Sequence, residues 1–235
     1  MMRSACRQAR TVLTVSEASA RDLQTWLGVA RERIAVIPNG VEVPDPPPTP
    51  RGAGRYVLYV GSLKPHKNVS TLVASFARVP ASAGLELWLA GQWNNEERHR
   101  RQLERQVASA GLGRRVRFVG GFPDSSQAAL FAGATLLVAP AWEEGFGLPP
   151  LEALALGTPV IASRRGAQPE VLGRAAEFVD GGDPEELTRS IVAVASWPPA
   201  ERQARVALGR DRARSFSWHA AARQTADVYR AAIKG

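Results

Sequence analysis

Cysteine, lysine and long apolar runs are scarce in this sequence, and each scarcity excludes a class of structure. Cys6 is the only cysteine, so neither an internal disulfide nor a cysteine-built metal site is possible. Of the 30 lysine and arginine residues only Lys64, Lys67 and Lys234 are lysines, and the net charge of +8 comes from arginines spread along the chain. A diffuse positive charge is compatible with anionic substrates, nucleic acid or an anionic membrane surface, so it selects none of them.

No apolar stretch is long enough to span a membrane or to form the core of a signal peptide. The longest nearly uncharged stretch, residues 131–142, contains Gly133 and Pro140. We therefore predict neither a signal peptide nor a membrane span, and we expect a cytoplasmic protein. The sequence also lacks an Asp-x-Asp pair and a His/Cys cluster with metal-ligand spacing, which predicts that no metal is bound.

Short aliphatic and β-branched runs alternate with longer amphipathic segments. With 235 residues, of which 45% are hydrophobic and 22% charged, the chain can form a sizeable core. The alternation predicts an α/β fold, a doubly wound and mainly parallel sheet of about six strands with helices on both faces. The predicted strands lie at residues 33–37, 56–61, 85–91, 115–120, 135–140, 159–163 and 175–180. The predicted helices lie at residues 68–79, 95–110, 125–132, 149–156 and 184–196, followed by a mostly helical tail at 200–233.

A stretch rich in proline and glycine divides the chain unevenly. Residues 41–55 predict a linker, because proline and glycine at this density disfavour regular structure. Residues 11–40 supply a strand, a helix opened by Ser16 and ended near Gly28, and a second strand. These elements are too few to enclose a hydrophobic core, so we expect the domain on that side to be incomplete in this chain.

The segment "AWEEGFGLPPLEALALGTPV", residues 141–160, places glycines directly before a predicted helix. Pro149 and Pro150 fit the first helical turn, where the missing N–H removes no hydrogen bond. Gly145 and Gly147 then lie in the loop between a strand and a helix N-terminus. An open α/β sheet binds ligands at this position, and the free amides of the helix attract phosphate.

Carboxylates surround these glycines, and two interpretations of them remain open. In the first, backbone amides bind a phosphate while Glu144 and Glu152 bind sugar hydroxyls at the two ends of one ligand, with Glu152 in the first helical turn. In the second, Glu152 only favours the start of the helix, and Glu143 and Glu144 are solvated loop acids.

The segment "YVGSLKPHKN", residues 59–68, repeats the pattern of strand, glycine turn and helix start. Asn68 is a predicted N-cap, and Lys67 just before it can neutralise a diphosphate. Gly61 and Ser62 can add a backbone or hydroxyl donor. The segment favours the ligand interpretation, although a single Lys67 or His66 is more often a plain surface residue.

With these motifs the sequence resembles the C-terminal part of the retaining, nucleotide-sugar-dependent glycosyltransferases built from two Rossmann-like domains, the group 1 or family 4 type. Glu144 and Glu152, with seven residues between them, meet the signature of that family. The matching segments run over nearly the whole chain: "TVLTVSEASARDL", "RIAVIPNGVE", "YVGSLKPHKN", "RVRFVGGFPDSSQAALFAGATLLVAPAWEEGFGLPPLEALALGTPVIAS", "GAQPEVLG" and "FSWHAAARQTADVYR". The resemblance implies four parts: a remnant of an N-terminal acceptor domain (1–40), a linker (41–55), a donor-binding domain (56–215) and a C-terminal crossover helix (216–235).

The resemblance also implies roles for the candidate residues. Glu152 would hold the ribose hydroxyls of the nucleotide, whereas Glu144 and Lys67 would be the catalytic pair that contacts the donor sugar and the diphosphate. The donor-binding candidates are Gly61, Ser62, His66, Lys67, Phe122, Glu144, Gly145, Phe146, Gly147, Leu148 and Glu152. Of these, Phe122 lies where family members recognise the base through main-chain groups. Ser62 and His66 stand where many family members carry arginine.

The reaction that the resemblance implies is the transfer of a sugar with retention of configuration. Mannose or a similar sugar would pass from a nucleotide diphosphate sugar, such as GDP-mannose, to the hydroxyl of a sugar or lipid-linked acceptor in the synthesis of surface polysaccharide or glycoconjugate. Electrostatic stabilisation of the leaving diphosphate would supply most of the catalysis, without a metal or another cofactor. A peripheral contact with the inner face of the cell membrane is compatible with this function.

Three other functions are compatible with parts of the sequence. A dinucleotide-binding dehydrogenase is disfavoured because "GLGRRV", residues 111–116, lacks the third glycine and follows a helix, and no Gly-Lys-Ser/Thr phosphate loop exists. A nucleic-acid partner is disfavoured because the arginines are not gathered with stacking aromatics. The stronger alternative is a non-catalytic nucleotide-sugar-binding module, completed in trans by a partner chain that supplies the acceptor domain.

Overall fold

The computed structural model describes residues 2–46 and 55–234. Its strands are β1 (Val12–Thr14), β2 (Ile34–Val36), β3 (Tyr56–Val60), β4 (Glu86–Ala90), β5 (Val116–Gly120), β6 (Leu136–Ala139), β7 (Val160–Ser163) and β8 (Glu177–Val179). Its α-helices are α1 (Met2–Gln8), α2 (Glu17–Leu27), α3 (Val69–Phe76), α4 (Glu97–Ser109), α5 (Asp124–Ala132), α6 (Leu148–Ala155), α7 (Gln168–Leu172), α8 (Pro184–Ala195), α9 (Pro199–Arg214) and α10 (Trp218–Lys234). Most of the predicted linker, residues 47–54, lies outside the described residues.

The main sheet has six strands in the order β5-β4-β3-β6-β7-β8, all parallel. From β3 the chain moves outward through β4 and β5, then returns to the other side of β3 and continues through β6, β7 and β8. The strand order therefore reverses between β3 and β6. The predicted α/β fold with a parallel sheet of about six strands is confirmed, and each strand predicted for this sheet is present.

Helices cover both faces of the sheet, because successive side chains of each strand point to opposite sides. Val57 and Tyr59 pack into a core with residues of α3, α4 and α8. Tyr56 and Leu58, on the other face, pack with residues of α5, α6, α7 and α9. Burial on both faces is why the central strands β3, β6 and β7 read as continuous apolar runs, whereas the edge strand β5 alternates between buried and exposed residues.

The residues before the linker form a smaller unit. Strands β1 and β2 pair in parallel, and α2 packs beside them over a small core that includes Ala20, Val29 and Ile34. Ser16 caps α2 by accepting a hydrogen bond from the Ser19 amide at 3.0 Å, and Gly28 ends the helix with φ +68°. Both helix boundaries agree with the sequence prediction.

The mostly helical tail predicted at residues 200–233 is present. Residues between Arg214 and Trp218 separate its two helices, α9 and α10. Gly40 packs against the start of α10: a β-carbon at this position would lie 2.0 Å from the Trp218 backbone nitrogen. The absence of a side chain at Gly40 therefore lets the end of the N-terminal unit touch α10.

Two helices were not predicted. α1 is short and polar. A residue far along the sequence stabilises its carboxyl end, because the Arg33 guanidinium donates to the Cys6 carbonyl at 2.7 Å. α7 has only five residues. Within the described residues, no helix is both long and apolar enough to cross a membrane.

Candidate functional site

Lys67 and Glu144 meet at the carboxyl end of the sheet, where the strand order reverses. Lys67 lies in the loop after β3, and Glu144 lies in the loop after β6. The Lys67 Nζ atom donates to Glu144 Oε2 at 2.6 Å, and the two side chains are 21% and 22% exposed. A reversal of strand order leaves a crevice between neighbouring loops, so these two predicted residues occupy the place where such sheets bind ligands.

The two loops are joined by their backbones as well. The Trp142 amide donates to the His66 carbonyl at 2.8 Å. The buried side chain of Asn68 donates through Nδ2 to the Pro140 carbonyl at 3.1 Å and to the Gly181 carbonyl at 2.6 Å. Asn68 thus connects the loops that follow β3, β6 and β8.

The predicted capping role of Asn68 is wrong in its mechanism. Asn68 does precede α3, but its backbone is left-handed, with φ +57°, and its side chain makes no capping hydrogen bond to the helix amides. Its Oδ1 atom instead accepts from the Thr71 hydroxyl at 2.6 Å. The Asn68 side-chain amide donates to two distant carbonyls instead of capping the helix. The local sequence could not show these distant partners.

Helix α6 begins as the sequence predicts. Gly147 precedes it with φ +90°, a conformation that favours glycine, and Pro149 and Pro150 lie in the first turn. Its N-terminus carries no side-chain cap. Because Pro149 and Pro150 have no N–H, the amides that remain free for an anion are those of residues 145–148, which lead into the positive end of the helix dipole.

The predicted position of Glu152 needs a correction. Because α6 begins at Leu148, Glu152 is its fifth residue and lies in the second turn, beyond the helix-end amides. The dipole effect falls off within the first turn, so it does not explain this carboxylate. Glu152 Oε2 accepts from Gln127 Nε2 at 2.9 Å. Burial raises the pKa of Glu152, and the Gln127 hydrogen bond only partly opposes that rise.

Lys67 and Glu144 line one cavity, and Glu152 lines another. The first has a volume of about 680 Å³ and is lined by Ala18, Arg21, Asp22, His66, Lys67, Trp142, Glu143, Glu144, Gly145, Arg165 and Gly166. The second has a volume of about 560 Å³ and is lined by residues 40–44, Asp124, Gln127, Ala128, Glu152, Leu156 and Trp218. Residues 145–148 connect the two glutamates along the chain.

Six candidates line neither cavity: Gly61, Ser62, Phe122, Phe146, Gly147 and Leu148. The Gly61 carbonyl accepts from the Trp93 indole at 2.9 Å, and the Ser62 carbonyl accepts from the Tyr59 hydroxyl at 2.5 Å. Phe122 is half-buried against the core on the α5 and α6 face. Gly61, Ser62 and Phe122 therefore do not line the cavity of the Lys67–Glu144 pair. Tyr59, which contacts Ser62, is nevertheless close enough to the pair that burial and the Glu144 charge raise the pKa of its hydroxyl.

Phe146 and Leu148 contribute mainly packing through their side chains. The Phe146 ring is buried and meets the Phe216 ring edge to face, with centroids 5.7 Å apart. Leu148 packs partly buried against the same core cluster. These side chains fix the path of the loop, while its backbone lies along the site.

Gly166 was not assigned a role from the sequence, yet it positions Glu144. A β-carbon on Gly166 would lie 2.6 Å from the Glu144 carbonyl oxygen and 2.7 Å from its nitrogen, and φ is +60°. The next amide, Ala167, donates to that carbonyl at 2.9 Å. The segment "GAQPEVLG" was part of the resemblance, but nothing local in it pointed to the Glu144 backbone.

Helix α2 of the N-terminal unit forms one wall of the first cavity. The Glu170 carboxylate accepts from the Glu17 amide at 2.7 Å and from the Ala18 amide at 2.9 Å. The Ser19 hydroxyl donates to the Gly145 carbonyl at 3.3 Å. Because these contacts join residues far apart in the sequence, periodicity and motif spacing gave no signal for them.

No group of three or more His, Cys, Asp or Glu side chains arranged to hold a metal ion occurs within residues 2–46 and 55–234. The titratable groups that line the first cavity are the lysine–glutamate pair, His66, Glu143, Asp22 and two arginines. This set can bind anions and hydroxyl groups through charge-assisted hydrogen bonds.

Comparison with known families identifies the class of protein. Residues 46–207 match the family described as "Glycosyl transferases group 1", and residues 1–44 match the family described as "Glycosyltransferase Family 4". The chain therefore belongs to the group 1 glycosyltransferases.

Individual relatives are longer than this chain. It is 36% identical over 238 residues to the MMP alpha-(1->4)-mannosyltransferase of Mycolicibacterium hassiacum, which covers 99% of this chain and 57% of that protein. It is 32% identical over 180 residues to the O-antigen chain mannosyltransferase B of Escherichia coli, covering 74% of this chain and 45% of that protein. Among solved structures, the sucrose-phosphate synthase of Thermosynechococcus elongatus is similar with a TM-score of 0.84 at 28% identity, over 99% of this chain and 61% of that one. The chain thus spans about half the length of these two mannosyltransferases.

Proposed function

We propose that the chain binds a nucleotide diphosphate sugar and carries the donor half of a retaining hexosyltransferase. The observation that supports this most is the Lys67–Glu144 ion pair, which lies at the reversal of strand order beside the start of α6. A cation, an uncapped helix start and a carboxylate at one place suit a ligand with a diphosphate and a sugar. Group 1 glycosyltransferases act on such donors.

Each half of the ion pair would exchange its partner when the donor binds. Lys67 Nζ would turn from Glu144 to the diphosphate oxygens, and Glu144 would accept hydrogen bonds from hydroxyls of the sugar. The backbone amides of residues 145–148 would lie along the diphosphate. These groups would stabilise the negative charge that develops as the nucleoside diphosphate leaves, and they supply no general base for the acceptor.

Glu152 would hold the nucleoside end of the donor. Gln127 occupies Oε2 of this carboxylate, so Oε1 would accept from a ribose hydroxyl in the second cavity. A donor that reaches both glutamates must pass along residues 145–148. His66 would lie beside the diphosphate, and Phe122, Gly61 and Ser62 would contribute only through their backbones.

The sugar is proposed to be mannose and the donor GDP-mannose, because two relatives at 36% and 32% identity are mannosyltransferases. The second of these acts on an O-antigen chain by its name, which supports a role in surface polysaccharide or glycoconjugate synthesis with a sugar or lipid-linked acceptor. Such a role would place the protein in the cytoplasm, in peripheral contact with the membrane. No metal or other cofactor is proposed.

The division into parts is also a proposal. The two family matches meet between residues 44 and 46, inside the predicted linker at 41–55. Residues 1–40 would belong to the acceptor domain, residues 56–215 would form the donor-binding domain, and residues 216–235 would form the crossover helix. Trp218 and Tyr229 of α10 line a cavity with Leu13 and Ile37 of the N-terminal unit, which supports the crossover.

A second candidate function is that of a non-catalytic nucleotide-sugar-binding module that a partner chain completes. The Lys67–Glu144 pair suits the binding of a donor and supplies no general base for an acceptor. Binding without sugar transfer by the chain alone, and transfer after addition of the acceptor domain, would favour this candidate.

Calorimetric titration with GDP, UDP, ADP and dTDP, and with the corresponding nucleotide sugars, tests the proposed function. We expect GDP and GDP-mannose to bind more tightly than the others. A preference for UDP or ADP would still support a donor site, but it would show that the proposed base is wrong. No binding of any nucleotide would show that the site is not a donor site in this chain.

A further inference from the structure

The cavity that contains Lys67 and Glu144 also contains an exposed arginine with no assigned part in donor binding. Arg165 follows β7 and lines this cavity. We propose that Arg165, held over the Trp142 ring, is a diphosphate-binding residue of the donor site. The inference rests on the proposed function, because it adds a residue to the same site.

The charges of the side chains that line the cavity balance. Binding of a diphosphate there therefore needs a cation that is not held in a close ion pair. The lysine and arginine residues Arg21, Lys67 and Arg165 line it together with three acids, Asp22, Glu143 and Glu144. A diphosphate therefore meets no excess of positive charge. Lys67 is also held by Glu144 at 2.6 Å, so its charge becomes available only when that contact is exchanged.

The ion pair of Arg165 is weaker than the ion pair of Lys67. Its guanidinium lies 3.9 Å from Asp180, and the two side chains are 54% and 58% exposed, a pairing that is long and well screened by water. The guanidinium thus keeps its hydrogen-bonding capacity for a ligand. Its planar array of donors matches phosphate oxygens better than an ammonium group does.

Trp142 holds the guanidinium at the site. The Arg165 guanidinium carbon lies 5.3 Å from the centroid of the Trp142 ring, within the range of a cation–π contact. Trp142 is tied by its own amide to the His66 carbonyl, next to Lys67. The platform under Arg165 is therefore part of the loop pair that carries Lys67 and Glu144.

The backbone after Arg165 is fixed against the same loop. Gly166 approaches the Glu144 backbone too closely for any side chain, and Ala167 donates to the Glu144 carbonyl. These contacts fix the backbone next to Arg165 against the backbone of Glu144. Arg21 lies on α2 beside Asp22, and within the described residues its guanidinium is not placed over an aromatic ring.

Arg164 provides a matched control on the neighbouring position. Its side chain is 59% exposed, close to the 54% of Arg165, but it pairs with Glu186 at 3.2 Å. It is not among the residues that line the Lys67–Glu144 cavity. Loss of the Arg164 charge therefore changes the net charge of the chain without changing the proposed contact.

The test is calorimetric titration of the unaltered chain, Arg165→Gln, Arg165→Lys and Arg164→Gln with GDP and GMP, or with UDP and UMP if UDP binds more tightly. We expect Arg165→Gln to weaken the diphosphate about tenfold and the monophosphate by less than about threefold. Arg165→Lys should recover part of the loss, and Arg164→Gln should match the unaltered chain.

Two outcomes would overturn this inference while leaving the donor site in place: diphosphate binding by Arg165→Gln that equals that of the unaltered chain, or an equal loss in Arg164→Gln. An equal loss of diphosphate and monophosphate in Arg165→Gln, with a lowered melting temperature, would also overturn it by showing a structural role. Absence of nucleotide binding by the unaltered chain would instead overturn the proposed function.

Discussion

The Lys67–Glu144 contact changes what the sequence alone predicts for Glu144. From position in the loop, a carboxylate that meets only the sugar would have little effect on a free nucleoside diphosphate. In the structure the same carboxylate holds Lys67 at 2.6 Å, so it competes with a diphosphate for that cation. Glu144 is therefore expected to oppose binding of the free diphosphate and to favour the sugar-bearing donor.

Glu144→Gln should raise the affinity for free GDP by about threefold to tenfold, because the change releases Lys67 from a partly buried ion pair worth about 1 kcal/mol. Preference for the nucleotide sugar over the free diphosphate should fall. Titration calorimetry with GDP and GDP-mannose measures both. Glu143→Gln is the control, since Glu143 is exposed and lines the same cavity without an ion pair to Lys67. Weaker GDP binding by Glu144→Gln would contradict the exchange of partners.

Glu152 should show a conflict between stability and binding. Burial raises the pKa of Glu152, so the folded chain favours the protonated form more than the unfolded chain does. As the pH rises from the ordinary glutamate pKa through the raised one, the unfolded state loses its proton first and the free energy of unfolding falls. The charged carboxylate is therefore a cost to the fold at neutral pH.

Glu152→Gln should raise the melting temperature at pH 7 by about 2 °C, and the gain should shrink as the pH falls through the raised pKa. The same change should weaken GDP and GDP-mannose alike, because both carry the ribose. Thermal melts from pH 4 to pH 8 measure the first effect, with Glu143→Gln as an exposed control. A variant less stable than the unaltered chain at pH 7 would show that the charged form of Glu152 is needed by the fold.

At the scale of elements, burial patterns predicted most of the architecture. The central strands β3, β6 and β7 are buried on both faces, so each reads as an apolar run, and Pro149 with Pro150 marks the start of α6. Long-range contacts were beyond the sequence. Asn68 reaches carbonyls after β6 and β8, and Arg33 holds the end of α1. A local pattern cannot show which distant carbonyl a side chain will meet.

The cap on α2 by Glu170 is another contact of this kind, and it links two parts of the chain. Its carboxylate, on α7, accepts hydrogen bonds from two amides in the first turn of α2. Together with the Ser19–Gly145 hydrogen bond, it holds the α2 wall beside the Glu144 loop.

Glu170→Ala should lower the stability of the chain by about 1 kcal/mol, the usual cost of losing a helix cap. The loss should be local, so hydrogen exchange should quicken most at the amides of Glu17 and Ala18. Glu177→Ala serves as control, because Glu177 lies on β8 and pairs with Arg205 at 2.9 Å. Unchanged exchange at Glu17 and Ala18 would contradict a capping role for Glu170.

At the scale of the whole molecule, the topology explains why residues 77 positions apart form one site. The reversal of strand order between β3 and β6 separates their following loops and leaves a crevice, and Lys67 and Glu144 lie one on each side. The sequence predicted both residues, because each follows a strand at a glycine-containing turn. It did not predict the roles of Trp142, Arg165 and Gly166, which depend on how the third loop, after β7, packs against the second.

The most direct test is a crystal structure of this chain with the nucleotide sugar that it binds most tightly. We predict that the diphosphate oxygens lie within hydrogen-bonding distance of Lys67 Nζ and of the backbone nitrogens of residues 145–148. The ribose hydroxyls should contact Glu152, and the sugar hydroxyls should contact Glu144. A nucleotide bound in any other cavity, or one that leaves the Lys67–Glu144 contact intact with Glu152 untouched, would contradict the proposed site.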